Sequence, residues 1–400
     1  MTVCNIQNKK FKPGEGDKNS MKKAILFLKK DLMLTVSLVA AAAGLIITPP
    51  KADFLTGIDW RTLGTLFMML CVLEGFKKEN VLRPVENLAS KLGTMTALSL
   101  FLIFGVFFTS MFVTNDVSLI IFVPLTILLF RSGECERYIL PVISMENIAA
   151  IRGSLLTPFG SPQNLFLYGQ AKEITFARFL LHMSPLSVMS AVLLVIFVFV
   201  LYRRNPKEKI IFTHESEPWQ KAKRPQRITY IALFVLVMLV IVTRTRFWWA
   251  ALIAVIAAIL IADRRIFLKV DYVLIVTFLC FFVFSSSIAG NERIAEFLGR
   301  SVAGREYWWV IGLSQIISNV PASIVLYPFA KNFAGLIYGA DTAGLCSLIG
   351  SLASVINYRI YVREYPGEGR RFIRTFTLVS WAFFAAVVIP GYLLTNWKFY

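Results

Sequence analysis

Three polar residues in a row, Thr114-Asn115-Asp116, sit between the apolar stretches "LFLIFGVFFTSMFV" and "VSLIIFVPLT". A hydroxyl, a carboxamide and a carboxylate offer oxygen ligands and hydrogen bonds. In surroundings this apolar, that is the chemistry of a small ion or polar solute held away from bulk water. A second pair, Ser318-Asn319, opens "SNVPASIVLYPF" and keeps the same spacing: Asn115 and Pro124 are nine apart, as are Asn319 and Pro328. Two further runs mix hydroxyls, amides and helix breakers. "LLTPFGSPQN" (155–164) carries Thr157, Ser161, Gln163 and Asn164, and "LCSLIGSLAS" (345–354) carries Ser347, Ser351 and Ser354. No continuous helix would choose the Thr-Pro and Gly-Ser-Pro of the first run.

The elements that must hold these residues are set by composition. Hydrophobic residues make up 56% and charged residues 16% of the 400-residue chain, with a mean hydropathy of +0.65. Apolar runs at 32–47, 187–202, 228–242, 248–262, 272–288 and 376–394 approach the roughly 20 residues that cross a bilayer. A soluble globule is excluded, and the chain reads as an all-α polytopic membrane protein of about 10–11 transmembrane segments. The run at 32–47 lacks a small-residue cleavage site and reads as a retained span rather than a signal peptide. Five scattered cysteines without a CxxC pair, and two histidines, argue against a zinc site or a disulfide framework.

The net charge of +18 reports orientation. Thirty of the 42 Lys and Arg lie in the tail 1–30 and in the stretches 77–91, 131–137, 203–227, 264–269 and 359–374, and nine lie in the alternate connections. This is the positive-inside bias, so the amino terminus and the central linker are expected to be cytoplasmic. Nucleic acid is not an expected partner; membrane lipid is.

An internal repeat organises the rest. "GIDWRTLGTLFMMLCVLEGFKKEN" (57–80) resembles "KVDYVLIVTFLCFFVFSSSIAGNER" (269–293), each opening an apolar span on an Asp-aromatic pair. The polar tips and the Gly-Ser runs then recur in the same order. The second arm of the first tip, 117–130, is fourteen residues, or about 21 Å at 1.5 Å per residue, short of a hydrocarbon core of roughly 30 Å. The expected organisation is a basic tail 1–30, a first half 31–202, a linker 203–227 and a second half 228–400. The first half holds a re-entrant hairpin at about 93–130 and a broken helix at about 138–180. The second holds a hairpin at about 305–336 and a broken helix at about 338–358. The loop count makes the copies inverted, the pattern of secondary transporters. Hydroxyls, amides and bare carbonyls at such breaks suit sodium, while half-helix N-termini favour an anion. Glu146 and Arg152, six apart ahead of the first break, are read as a structural pair.

At these motifs the chain resembles the citrate-transporter-like permeases of the ion transporter superfamily. That group includes sodium/dicarboxylate symporters, arsenite permeases and sodium/proton antiporters. The resemblance covers roughly 30–398 and rests on "TNDVSLIIFVPLT", "GSLLTPFGSPQN", "SQIISNVPAS" and "GADTAGLCSLIGSLAS". It implies two hairpins and two broken helices around substrate and coupling ions, an elevator-like movement against a scaffold, and a homodimer. It also implies sodium sites at Thr114 and Asn115 with the 157–164 break, and at Ser318 and Asn319 with the 347–354 break. Two departures stand out. The tips are Thr-Asn-Asp and Ser-Asn-Val rather than Ser-Asn-Thr, and Ser354 and Asp341-Thr-Ala-Gly344 replace the usual Asn and Asn-x-Gly-Gly. An acidic tip beside an anion is repulsive unless neutralised.

Without a nucleophile–base pair or a phosphate loop, an enzyme is not expected. The expectation is an ion-coupled transporter of the plasma or bacterial inner membrane. It moves a small carboxylate or oxyanion with sodium or protons and needs no cofactor. The alternative is a sodium/proton antiporter that uses Asp116.

Overall fold

The computed structural model describes residues 32–49, 58–79, 92–205 and 224–396. The tail 1–30, most of the linker 203–227 and the greater part of the basic stretch 77–91 lie outside the described residues. Among the described residues there are sixteen α-helices and no strand.

The first half holds α1 (Leu32–Ile47), α2 (Trp60–Lys78), α3 (Met95–Val113), α4 (Asn115–Ser132), α5 (Ile139–Ser154), α6 (Pro162–Gln170) and α7 (Phe176–Leu201). Then follow α8 (Arg224–Thr243), α9 (Trp248–Asp263), α10 (Tyr272–Ala289), α11 (Glu292–Val302), α12 (Glu306–Ile317), α13 (Asn319–Leu326), α14 (Phe333–Ala343), α15 (Leu352–Glu364) and α16 (Gly369–Leu394).

Helices α3, α7, α10 and α16, with residues 226–243 of α8, are long and apolar enough to cross a membrane. They carry apolar side chains on the outward face as well as on the buried one. On α7, Ser187, Ser190, Leu194 and Val198 are buried, while Val188, Val192, Ile196 and Phe199 face outward. On α8, Ile228, Ile231, Val235 and Leu239 form an exposed stripe at helical spacing. Water would penalise such stripes and a lipid tail does not, so the chain is a multi-pass membrane protein.

The repeat has a physical basis at each step. The Asp-aromatic pairs are helix starts: Asp59 Oδ1 accepts the Thr62 N–H at 3.0 Å, and Asp271 Oδ1 accepts the Leu274 N–H at 3.0 Å. Each satisfies a donor that the first helical turn leaves open. The hairpins α3–α4 and α12–α13 each reverse on one residue. The two breaks, α5 to α6 and α14 to α15, each turn through a glycine.

Contacts between the copies reveal their relative direction. Asn357 Nδ2 donates to the Ile143 carbonyl at 2.7 Å, Asn147 Nδ2 donates to Ser354 Oγ at 3.0 Å, and Arg152 pairs with Asp341. As the residue number rises along α5, its partner's number falls through α15 and α14. The broken helices therefore run antiparallel, as inverted repeats require. Both hairpins, both broken helices, α7 and α16 pack as one inner unit; α1, α2, α8, α9 and α10 pack beside it.

Three boundaries differ from the sequence reading. Helix α4 spans 18 residues, about 27 Å at 1.5 Å per residue, because Asn115, Asp116, Arg131 and Ser132 extend the apolar run at both ends. The first broken helix closes at Gln170 rather than near 180: Ala171 leaves helical geometry, and Thr175 starts α7 by accepting the Arg178 N–H. The second broken helix starts at Phe333 and ends at Glu364, with Asn332 capping its first half through the Gly335 N–H at 3.0 Å.

Candidate functional site

Each hairpin tip is one residue that ends one helix and starts the next. Thr114 has φ 72° and ψ 153°; Ser318 has φ 72° and ψ 159°. This backbone region is normally reserved for glycine and costs about 1–3 kcal/mol at other residues. It recurs at two positions 204 apart in sequence, and at each the following asparagine is held by an equivalent glycine. The Asn115 N–H donates to the Gly160 carbonyl at 3.2 Å, and the Asn319 N–H donates to the Gly350 carbonyl at 3.1 Å. Each tip is thus fastened to the break of its own copy. The tip's N–H is satisfied by the break's carbonyl, as non-helical backbone away from water must be.

The glycines are required by closeness. A Cβ on Gly160 would lie 2.5 Å from the Ser154 carbonyl oxygen, and one on Gly350 would lie 2.4 Å from that of Ala343. Both also close a tight turn, the Gly160 N–H on the Thr157 carbonyl at 3.3 Å and the Gly350 N–H on that of Ser347 at 3.2 Å.

In the first copy Thr157 donates its hydroxyl to the Met111 carbonyl of α3. Asn164 Nδ2 reaches back to the Ser154 carbonyl at 3.0 Å. Asp116 is half-buried in the first turn of α4, and its N–H donates to Asn115 Oδ1 at 2.9 Å. At the break, Ser161 Oγ, Gln163 Oε1 and Asn164 Oδ1 are buried without a hydrogen bond. In the second copy Ser347 Oγ donates to Gln315 Oε1 at 2.7 Å, and Gln315 Nε2 donates to the Ala343 carbonyl at 3.2 Å. Asn319 Nδ2 donates to the Ala340 carbonyl at 3.1 Å. Ser318 and Ser351 are buried beside them, and Ser354 accepts from Asn147.

The sequence-derived residues thus fall into two clusters. Thr114, Asn115, Asp116, Thr157, Ser161, Gln163 and Asn164 make the first, and Ser318, Asn319, Ser347, Ser351 and Ser354 the second. The clusters are joined by Asn147 and by the Arg152–Asp341 pair, both members of which are essentially inaccessible to solvent. That pair corrects the reading that Glu146 and Arg152 bind one another. Six residues of helix rotate the two side chains to different faces, and Glu146 meets Thr126 instead. Sequence reasoning missed Gln315, Asn147 and Asn357. Their signal was present, since an amide in an apolar helix needs a partner.

A cavity of about 400 Å3 opens where the inner unit meets α2 and α10, lined by Asp59, Phe166, Gln170, Phe282, Ser285 and Tyr327 among others. Gln170 Nε2 donates to Asp59 Oδ2 at 2.7 Å and Ser285 Oγ to the Ile324 carbonyl at 3.0 Å, the polar contacts between the two units there.

The comparisons with known proteins agree with this architecture. A family model described as "Citrate transporter" matches residues 24–350. The inner membrane protein YbiR of Escherichia coli is 28% identical over 89% of this chain and 94% of its own length. A protein of Methanocaldococcus jannaschii, described as an uncharacterized transporter, is 31% identical over 76% of this chain and 81% of its own. Among solved structures, the YdaH transporter of Alcanivorax borkumensis superposes with a TM-score of 0.52, covering 93% of this chain and 97% of that one at 14% identity. At that identity the likeness speaks to the fold.

Proposed function

The chain belongs to the citrate transporter family of secondary membrane transporters, and on that premise we propose that it carries a small carboxylate or inorganic oxyanion across the bacterial inner membrane, coupled to sodium or protons. The observation that carries this reading is the duplicated fastening of tip to break, Asn115 on Gly160 and Asn319 on Gly350. Each fastening brings two helix ends together inside the inner unit. The N-termini of α4, α6, α13 and α15 offer partial positive charge to an anion. The buried acceptors Ser161 Oγ, Gln163 Oε1 and Asn164 Oδ1 are an all-oxygen set that suits a hard cation such as sodium.

Alternating access is proposed to come from sliding of the inner unit against α1, α2, α8, α9 and α10. The Asp59–Gln170 and Ser285–Ile324 contacts would break during each cycle. The charge bias supports a cytoplasmic side for the amino terminus and the linker 203–227.

The test is uptake into proteoliposomes under an imposed sodium or proton gradient, with citrate, succinate, sulfate and arsenite as candidates and a pH-sensitive dye inside. Gradient-driven accumulation of one anion supports the reading. A dye response to sodium alone, lost in Asp116→Asn, would replace it with sodium/proton exchange.

A further inference from the structure

Glu146 lies two turns into α5, fully buried, at a place that neither the tips nor the breaks use. Thr126 of α4 donates its hydroxyl to Oε1, while Oε2 is buried without a hydrogen-bond partner. No ion pair reaches Glu146 among the described residues.

The arginines on the elements packed against α5 are exposed, whereas Glu146 is buried. Helix α3 carries no titratable residue, and α4 carries Asp116 at the tip and Arg131, which pairs with Glu364 at 3.6 Å. Helix α15 carries Tyr358, Arg359, Tyr361, Arg363 and Glu364; α7 carries Arg178 and His182. Helix α16 carries Arg370, Arg371, Arg374 and Tyr392, and the turn 136–138 carries Glu136, Arg137 and Tyr138. On α5 itself the one cation, Arg152, is taken by Asp341.

An ionised carboxylate with one neutral donor, out of water, is strongly unfavourable, whereas the carboxylic acid is tolerated. Asp341 is the contrasting case in the same core, since it has Arg152 as a counter-charge. Asn147, next in sequence, holds Ser354 of the second break, so α5 links Glu146 to the site.

We propose that Glu146 is the proton-binding residue of this transporter, with Thr126 as its hydrogen-bond partner. The packed conformation holds the acid form. When sliding of the inner unit lets water reach the α4–α5 contact, the Glu146 O–H bond breaks, the proton passes to that water, and the carboxylate left behind is solvated. Return to the packed conformation requires a proton from the other side. This inference rests on the transporter reading and selects the proton over sodium as the coupling ion.

The test combines two measurements on the full-length protein in lipid. Infrared difference spectroscopy of wild type against Glu146→Gln should show a protonated-carboxyl C=O band at neutral pH that is missing from the variant. Proton-gradient-driven anion uptake should be lost in Glu146→Gln and should persist, with a displaced pH profile, in Thr126→Val. Absence of the band from wild type overturns the proposal. So does wild-type accumulation in Glu146→Gln, or accumulation that follows sodium alone; both leave the transporter reading standing. Absence of anion uptake under either gradient removes that reading, and the proposal with it.

Discussion

The two hairpins share one tip geometry and differ in nearly everything that supports it. The first has arms of 19 and 18 residues, the second arms of 12 and 8. Equal sequence spacing ends differently as well. Pro124 is carried inside α4, while Pro328 closes α13 into a short 3-10 turn at 327–329. The first break leaves three buried acceptors unpartnered, whereas the second ties its polar groups together through Gln315 and Ser347. Inversion therefore preserved the backbone turn and the glycine contact and let the side-chain chemistry diverge. The first copy keeps buried oxygen acceptors open, and the second ties its polar groups to one another.

The largest effect is expected where the copies meet. Removing one member of the buried Arg152–Asp341 pair strands the other, a loss on the order of 3–5 kcal/mol. Arg152→Met and Asp341→Leu should each lower thermal stability in detergent sharply, and the double variant should recover part of the loss. Additive losses would show that the pair is not what joins the halves.

Next come the glycines. Gly160→Ala and Gly350→Ala each push a methyl into a carbonyl 2.5 or 2.4 Å away, at an expected cost of about 1–3 kcal/mol. Gly169→Ala, whose nearest neighbour would be 3.6 Å off, should be nearly neutral. Unequal effects at 160 and 350 would show which hairpin is held more tightly.

A smaller effect separates the supports. Gln315→Leu removes the network of the second break and should cost about 1–2 kcal/mol, measurable as a lowered midpoint in a thermal scan. It should not alter sodium affinity if the cation ligands belong to the first copy.

The smallest effect is at the tips themselves. Thr114→Gly and Ser318→Gly relieve a backbone that costs about 1–3 kcal/mol, offset by about 0.4–1 kcal/mol of added freedom in the unfolded chain. A net gain of roughly 1 kcal/mol is expected at both sites, with lowered ion affinity at Thr114 if its hydroxyl is a ligand.

How much of this was legible follows the range of the interactions. The Asp caps, the single-residue tips and the Gly-Ser turns are local, so Asp59 and Asp271, Asn115 and Asn319, and Gly160 and Gly350 stand out in the sequence as repeated signals. The Arg152–Asp341 and Asn147–Ser354 contacts join residues 189 and 207 apart, and nothing local marks them. Pairing Glu146 with Arg152 failed for the same reason: proximity in the chain stood in for proximity in space. The extra turn of α4 was hidden because its ends are polar.

Uptake measured side by side for wild type, Gly160→Ala and Gly350→Ala in proteoliposomes tests the central claim most directly. If the two tip–break fastenings form one transport site, gradient-driven anion accumulation is present in wild type and falls to background in both variants. Wild-type accumulation in either properly inserted variant would contradict the account.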